Sequence, residues 1–95
     1  MQDLLWENRD ILPEQITEIS KSAFANCKGL VKIDIPNKVI MIREGAFNGC
    51  SGLNNITLSK ELNTIENLAF NGCYSLETIT IPENVTTIGK SAFSY

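Results

Sequence analysis

The sequence predicts a repeat protein of the α/β class, a right-handed solenoid with a parallel β face and short helical or 3-10 turns. Three observations predict it. When the sequence is written in rows of 23 residues, similar residues fall into eight columns, and no insertion interrupts them. Each unit holds a short run of alternating apolar and polar residues, and each of three units places a cysteine three positions after a phenylalanine. A chance sequence does not keep eight columns in phase over one short chain, so the repeat is the strongest signal present.

The eight columns contain small, aliphatic or aromatic residues, which are the types that a core needs. They are Ala23, Ala46, Ala69 and Ala92; Phe24, Phe47, Phe70 and Phe93; Ile19, Ile42, Ile65 and Ile88; Leu30, Leu53 and Leu76; Ile33, Ile56 and Ile79; Ile35, Leu58 and Ile81; Ile16, Val39, Leu62 and Val85; and Cys27, Cys50 and Cys73. One unit cannot bury its own apolar face, so the units are expected to stack with like residues in contact, about 4.8 Å apart.

Each unit is expected to begin with a strand. The run Leu30-x-x-Ile33-x-Ile35 alternates as a strand with one buried face does. Pro36 then ends the strand, because proline cannot donate a ladder hydrogen bond. Proline recurs at this phase as Pro82 and near the start as Pro13, with Ser59 in the middle unit.

A second apolar step and a turn complete the unit. Val39-x-x-Ile42 is the second step, and Phe47 and Cys50 are spaced as one turn of α-helix or 3-10 helix would space them. Glycine and asparagine around this turn let the chain reverse; they are Asn26, Gly29, Gly49, Gly52 and Gly72.

The two ends differ from the middle. Residues 1–15 are predicted to be an N-terminal capping segment and partial repeat, in which Leu4, Leu5 and Trp6 fold over the first coil. Residues 16–95 are predicted to be the solenoid, with three full 23-residue repeats and a partial fourth. Tyr95 replaces the Asn or Gly of its column, and no polar closing segment follows. An open end of this kind predicts either a fragment of a longer array or end-to-end association of two chains.

The combined motif resembles the BspA-like leucine-rich repeats over residues 12–95. Leu-x-x-Ile-x-Ile-Pro, Val-x-x-Ile and Ala-Phe-x-x-Cys carry the resemblance, and Lys38 stands where ordinary leucine-rich repeats have asparagine or cysteine. The resemblance implies a curved leucine-rich-repeat solenoid. It also implies a surface or secreted protein of bacteria or some protists, used for adhesion to host matrix proteins or to other cells.

Composition excludes several functions. The net charge is −3 and the eight basic residues are scattered, which argues against nucleic acid. No uncharged segment is long enough to span a bilayer, and Met1–Asp10 does not form a signal peptide. The chain has no histidine and no Cys-x-x-Cys pair, so neither a metal nor another cofactor is expected. Without a Ser-His or Cys-His pair, a carboxylate pair or a phosphate loop, the sequence does not predict an enzyme.

The cysteines are interpreted as small buried apolar residues, although stacking would bring the thiols near enough for a strained disulfide. The matches to the N-glycosylation pattern at Asn55 and Asn84 arise easily in a Thr-rich chain, and they matter only in a secreted eukaryotic protein.

The outward positions of the strand face are the candidate ligand-binding residues: Lys32, Asp34, Asn55, Thr57, Thr78 and Thr80. Arg9 and Ile11 extend the same rows. The alternative interpretation is that these polar residues only favour strands and solubility. A second candidate surface combines Ile40 and Met41 with Leu68 and Tyr74, which replace smaller or polar residues of their columns.

We therefore predict a protein-binding module of a cell-surface or secreted protein, with a protein partner such as a host matrix or cell-surface protein. The alternative function is a structural spacer that assembles end to end and has no separate ligand. Partner binding that depends on the strand face would favour the first function. Concentration-dependent assembly that depends on Phe93 and Tyr95 would favour the second.

Overall fold

Residues 12–94 are described by a computed structural model, in which they wind into four stacked coils. We define them by residue: coil 1 (12–29), coil 2 (30–52), coil 3 (53–75) and coil 4 (76–94). Several predictions made from the sequence concern residues outside this part of the chain: the cap at Leu4, Leu5 and Trp6, the row positions Arg9 and Ile11, and the open end at Tyr95.

Within residues 12–94, six short strands form two parallel sheets on the walls of the stack. The strands are β1 (Glu18–Ile19), β2 (Lys32–Asp34), β3 (Met41–Ile42), β4 (Asn55–Thr57), β5 (Thr64–Ile65) and β6 (Thr87–Ile88). One sheet has the order β1-β3-β5-β6 and the other pairs β2 with β4. In every strand pair the facing residues are 23 positions apart in the sequence. Residues of one column therefore lie side by side on adjacent coils.

The predicted columns form the core, except at Ile81 and Ile88 of coil 4, which are exposed. Phe24, Phe47, Phe70 and Phe93 stack with ring centroids 5.2–5.3 Å apart and planes within 9° of parallel. The buried polar residue Ser59 stands where the other three coils have proline (Pro13, Pro36 and Pro82), and its hydroxyl donates a hydrogen bond to the carbonyl of Val39. This bond compensates the burial of the hydroxyl, as a buried polar group requires.

Each coil has a turn around its stacked phenylalanine (Phe24, Phe47, Phe70 or Phe93), here called a phenylalanine turn. These turns differ from the prediction, because residues 12–94 contain no α-helix or 3-10 helix. In coil 1 the amides of Ala25 and Cys27 donate to the third residue before them, at 3.2 and 3.1 Å, while those of Phe24 and Asn26 donate to coil 2, both at 2.7 Å. Asn26 has a φ of 63°. A 3-10 helix needs consecutive local bonds and negative φ throughout. Residues of positive φ interrupt that series, so Phe24 and Cys27 are joined by a hydrogen-bonded turn, but the predicted helical or 3-10 turns are not shown.

Candidate functional site

The strand face consists of the outward side chains of β2 and β4. The register places Lys32 beside Asn55 and Asp34 beside Thr57. Each strand alternates in burial: its middle residue, Ile33 or Ile56, packs into the core, and the residues on either side are exposed. Neighbouring strands lie about 4.8 Å apart, so the four outward side chains form a compact polar square. The structure thus brings these four predicted residues together.

The polar square has free hydrogen-bonding capacity. Within residues 12–94, none of its four side chains makes a hydrogen bond or an ion pair. Lys32 and Asp34 offer opposite charges on the same edge of the face, and Asn55 and Thr57 offer donors and acceptors beside them. Such a surface can form hydrogen-bonded and charged contacts with another molecule without breaking contacts inside the repeat.

Thr78 and Thr80 are exposed as predicted, but they do not lie in a strand. Their run, Leu76-x-x-Ile79-x-Ile81, has the same pattern as the runs that become β2 and β4. However, Ile79 is half-buried and Ile81 is 38% exposed, whereas the equivalent Ile33 and Ile35 are buried. The apolar contacts that hold a strand onto its neighbour are therefore weaker in coil 4, and residues 77–81 donate no backbone hydrogen bond to β4.

Two clefts connect the strand face to its surroundings. A cleft of about 570 Å³ adjoins the ends of β2 and β4, and Asp34, Thr57 and Lys38 are among the residues that line it. A second cleft, of about 290 Å³, is lined by Thr57 and Thr80 together with Lys60. Thr80 therefore borders the same surface as β4, although it is not paired with that strand.

The second predicted surface is divided in the structure. Ile40 is 44% exposed and Met41 is half-buried, and both lie at the sheet that contains β3. Tyr74 is 72% exposed, whereas Leu68 is half-buried at a φ of 63°. Leu68 belongs to a phenylalanine turn, and Tyr74 follows such a turn at the start of the next strand run.

A charged row beside β3 was missed by the sequence analysis. The guanidinium of Arg43 lies between two carboxylates, 3.1 Å from Glu18 in coil 1 and 3.3 Å from Glu66 in coil 3. Glu66 also accepts a hydrogen bond from the backbone amide of Glu44 at 2.9 Å. The three ionic residues belong to two different columns, so no column marks the group. Arg43 and Glu66 share a column, so the 23-residue step alone could have indicated their pairing, whereas Glu18 lies two positions out of phase with Arg43 and its contact could not be indicated in that way.

The three cysteines form no disulfide with one another; Cys50 and Cys73 are buried as predicted, whereas Cys27 is half-buried. Each of these two donates to a phenylalanine carbonyl of the preceding coil: Cys50 to Phe24 at 3.0 Å and Cys73 to Phe47 at 3.2 Å. Burial raises the pKa of Cys50 to about 12 and that of Cys73 to about 11, because the apolar core disfavours the thiolate. A nucleophilic cysteine needs the opposite shift, so these thiols serve the packing.

Residues 12–94 hold neither a metal-binding group of side chains nor a membrane-spanning helix. Among residues 12–94, no Cys, Asp and Glu side chains group into a set of three that could hold a metal ion. The same part of the chain contains no helix with the length and apolar character needed to cross a membrane.

Stacked coils with a parallel strand face define a leucine-rich repeat solenoid. The family model described as "BspA type Leucine rich repeat region (6 copies)" matches residues 8–95, and the chain belongs to this family. The resemblance seen in the sequence is thereby confirmed. Repeats of this family are generally protein-interaction modules and non-enzymatic scaffolds, and they are typical of surface or secreted bacterial proteins.

Solved structures show the same fold. A leucine-rich repeat protein of T. pallidum is 32% identical, with a TM-score of 0.79 over 87% of this chain and 52% of that protein. A leucine-rich repeat protein of Bacteroides ovatus is 31% identical, with a TM-score of 0.81 over 90% of this chain and 24% of that one. The chain thus spans about half of the first protein and about a quarter of the second. No curated protein matches the chain.

Proposed function

We propose that this chain is a protein-binding module of a cell-surface or secreted adhesion protein, and that its partner contacts the strand face. The contact residues in this proposal are Lys32, Asp34, Asn55, Thr57, Thr78 and Thr80. The observation that carries it is the polar square on β2 and β4, whose side chains are exposed, in register and without partners inside the described part of the repeat. Membership of an interaction-module family supports the same function.

The rigidity of the strand face favours affinity for a partner. The short strands are held by buried isoleucines, so their outward side chains keep a fixed spacing when a partner arrives. A rigid surface loses little conformational freedom on binding, which leaves more of the contact energy for affinity. Opposite charges at Lys32 and Asp34 also favour one orientation of the partner over others.

The test is binding of the chain to a panel of immobilised matrix proteins and glycans. A Lys32→Glu/Thr57→Arg/Thr80→Arg variant alters the strand face, and a Lys90→Glu/Thr17→Arg/Thr87→Arg variant alters exposed positions away from it. Both variants leave the net charge unchanged, so a general charge effect is controlled. Loss of binding in the first variant alone supports the proposal, and equal binding by both variants contradicts it.

End-to-end assembly without a separate ligand is the second candidate. The observation that favours it is the exposure of aliphatic side chains on coil 4: Ile88 is 50% exposed, whereas Ile42 and Ile65 in the same column are buried. Sedimentation velocity over a range of concentrations tests it, with Ile88→Lys as the variant expected to prevent assembly. A strict monomer at every concentration contradicts this candidate.

A further inference from the structure

A cleft beside the N-terminal end of β4 combines an aromatic ring with a carboxylate. It has a volume of about 580 Å³, and it is lined by Asn54, Tyr74, Ser75, Glu77 and Thr78. Asn54 directly precedes β4, and the other four residues lie where coil 3 passes into coil 4. Of its lining residues, only Thr78 belongs to the strand-face set.

Tyr74 projects from the surface at this cleft. The column that contains it holds Lys28 and Ser51 in the preceding coils, so the ring is particular to this coil. Its side chain does not belong to the core, since the residue is 72% exposed and the stacked phenylalanines occupy a different column. An exposed tyrosine beside polar groups is typical of residues that contribute strongly to protein interfaces.

The polar groups around the ring are free to bind a partner. Ser75 donates its hydroxyl to the carbonyl of Ser51 at 2.7 Å, which fixes this wall of the cleft. The side chains of Asn54, Glu77 and Thr78 make no hydrogen bond to the rest of residues 12–94, and no lysine or arginine there lies within ion-pair distance of Glu77. The only formal charge in the cleft lining is therefore an unpaired carboxylate.

We propose that this cleft receives a cationic side chain, arginine by preference, presented by the protein that contacts the strand face. The guanidinium stacks on the ring of Tyr74 and pairs with the carboxylate of Glu77, and Asn54 accepts a further hydrogen bond through its amide oxygen. Arginine fits better than lysine because its planar group stacks on a ring and donates to a carboxylate at the same time. This inference rests on the proposed function and specifies the chemistry of one contact.

The experiment is an NMR titration of the chain with N-acetyl-arginine methylamide. N-acetyl-citrulline methylamide, which has nearly the same shape without the charge, is the control ligand. Arginine is expected to shift the signals of Tyr74, Glu77 and Asn54, and citrulline is not. Tyr74→Ala and Glu77→Gln should each weaken the arginine interaction by roughly two- to fivefold, whereas Tyr74→Phe should retain it. Both sites are exposed, so the variants are expected to fold.

Three outcomes overturn the inference: no localised shifts with arginine, equal shifts with citrulline, or shifts that survive both Tyr74→Ala and Glu77→Gln. The titration does not depend on the partner panel, so the two proposals fail separately. Panel binding through the strand face without an arginine response would leave the proposed function intact and remove this contact. An arginine response without any panel binding would support the cleft chemistry and count against the strand-face partners on the panel.

Discussion

The ring centroids of Phe47 and Phe70 lie 5.3 Å apart, and the angle between the two ring planes is only 3°. This contact repeats from coil to coil, so each interior phenylalanine is covered on both faces by its neighbours. The stack therefore makes the stability of each coil depend on the adjacent coils, as in other solenoids.

Phe47→Ala should lower the free energy of unfolding by about 3–5 kcal/mol, because it removes a fully buried ring and leaves a cavity between two others. Urea denaturation followed by circular dichroism measures this change. Val31→Ala, at an exposed position, is the control and should change it by no more than about 0.5 kcal/mol. A loss below about 1 kcal/mol for Phe47→Ala would show that the ring is not packed as described.

Leu68→Gly should be more stable than Leu68→Ala by about 1 kcal/mol, which reverses the usual order of the two residues. Leu68 has a φ of 63°, and the preceding coil has Gly45 at the same position with a φ of 62°. Both variants lose the leucine side chain, but only glycine adopts this backbone conformation without strain. Thermal unfolding of the pair is the measurement. If the alanine variant were the more stable, Leu68 would not have a left-handed backbone.

Alkaline pH should destabilise the protein through Cys50. Its pKa rises from 9.0 to about 12 on folding, so the folded state holds the thiol proton over a pH range in which the unfolded state releases it. Proton release from the unfolded state lowers the free energy of unfolding as the pH rises from about 9 to about 12. Urea midpoints of the chain and of Cys50→Ala across this range should converge as the pH increases. Parallel curves would mean that the thiol is not buried.

Arg43→Ala should have a small effect that depends on salt. The guanidinium and both carboxylates are partly exposed, so each ion pair is expected to contribute roughly 0.2–1 kcal/mol at low ionic strength. The difference in unfolding free energy should fall toward zero in high salt, because salt screens exposed charges. A large loss that persists in high salt would indicate that Arg43 acts through packing rather than through charge.

Much of this fold could be predicted from the sequence, because a column of similar residues is recognised from their 23-residue spacing alone. The positions of Phe47 and Ile33 in the core followed from the 23-residue step. The turn conformation did not, because the residues of positive φ at one position of the repeat are two serines, a glycine and a leucine, so no single residue type marks it: Ser22, Gly45, Leu68 and Ser91. Backbone conformation there is imposed by the hydrogen bonds between coils, which no local pattern shows.

The candidate site was only partly predictable for a similar reason. The same alternating pattern occurs in β2, in β4 and around residues 78–80. The pattern therefore predicts outward-facing residues equally well at all three places. Whether a run becomes a strand depends on how well the neighbouring coils cover its apolar side, and Ile81 is less well covered than Ile35. The Arg43 ion pairs likewise depend on which residues meet across coils. Glu18 and Arg43 belong to different columns, so their contact could not be predicted without the three-dimensional stack, whereas Arg43 and Glu66 share a column.

The claim that partners bind the strand face can be checked by mapping a bound partner with NMR. Isotope-labelled chain is titrated with the protein that the panel identifies, and the perturbed signals are assigned to residues. We expect the largest changes at Lys32, Asn55 and Thr57 on β2 and β4, with little change on the other sheet. Largest changes at Met41, Thr64 and Thr87, the outward row of β3, β5 and β6, would contradict the claim.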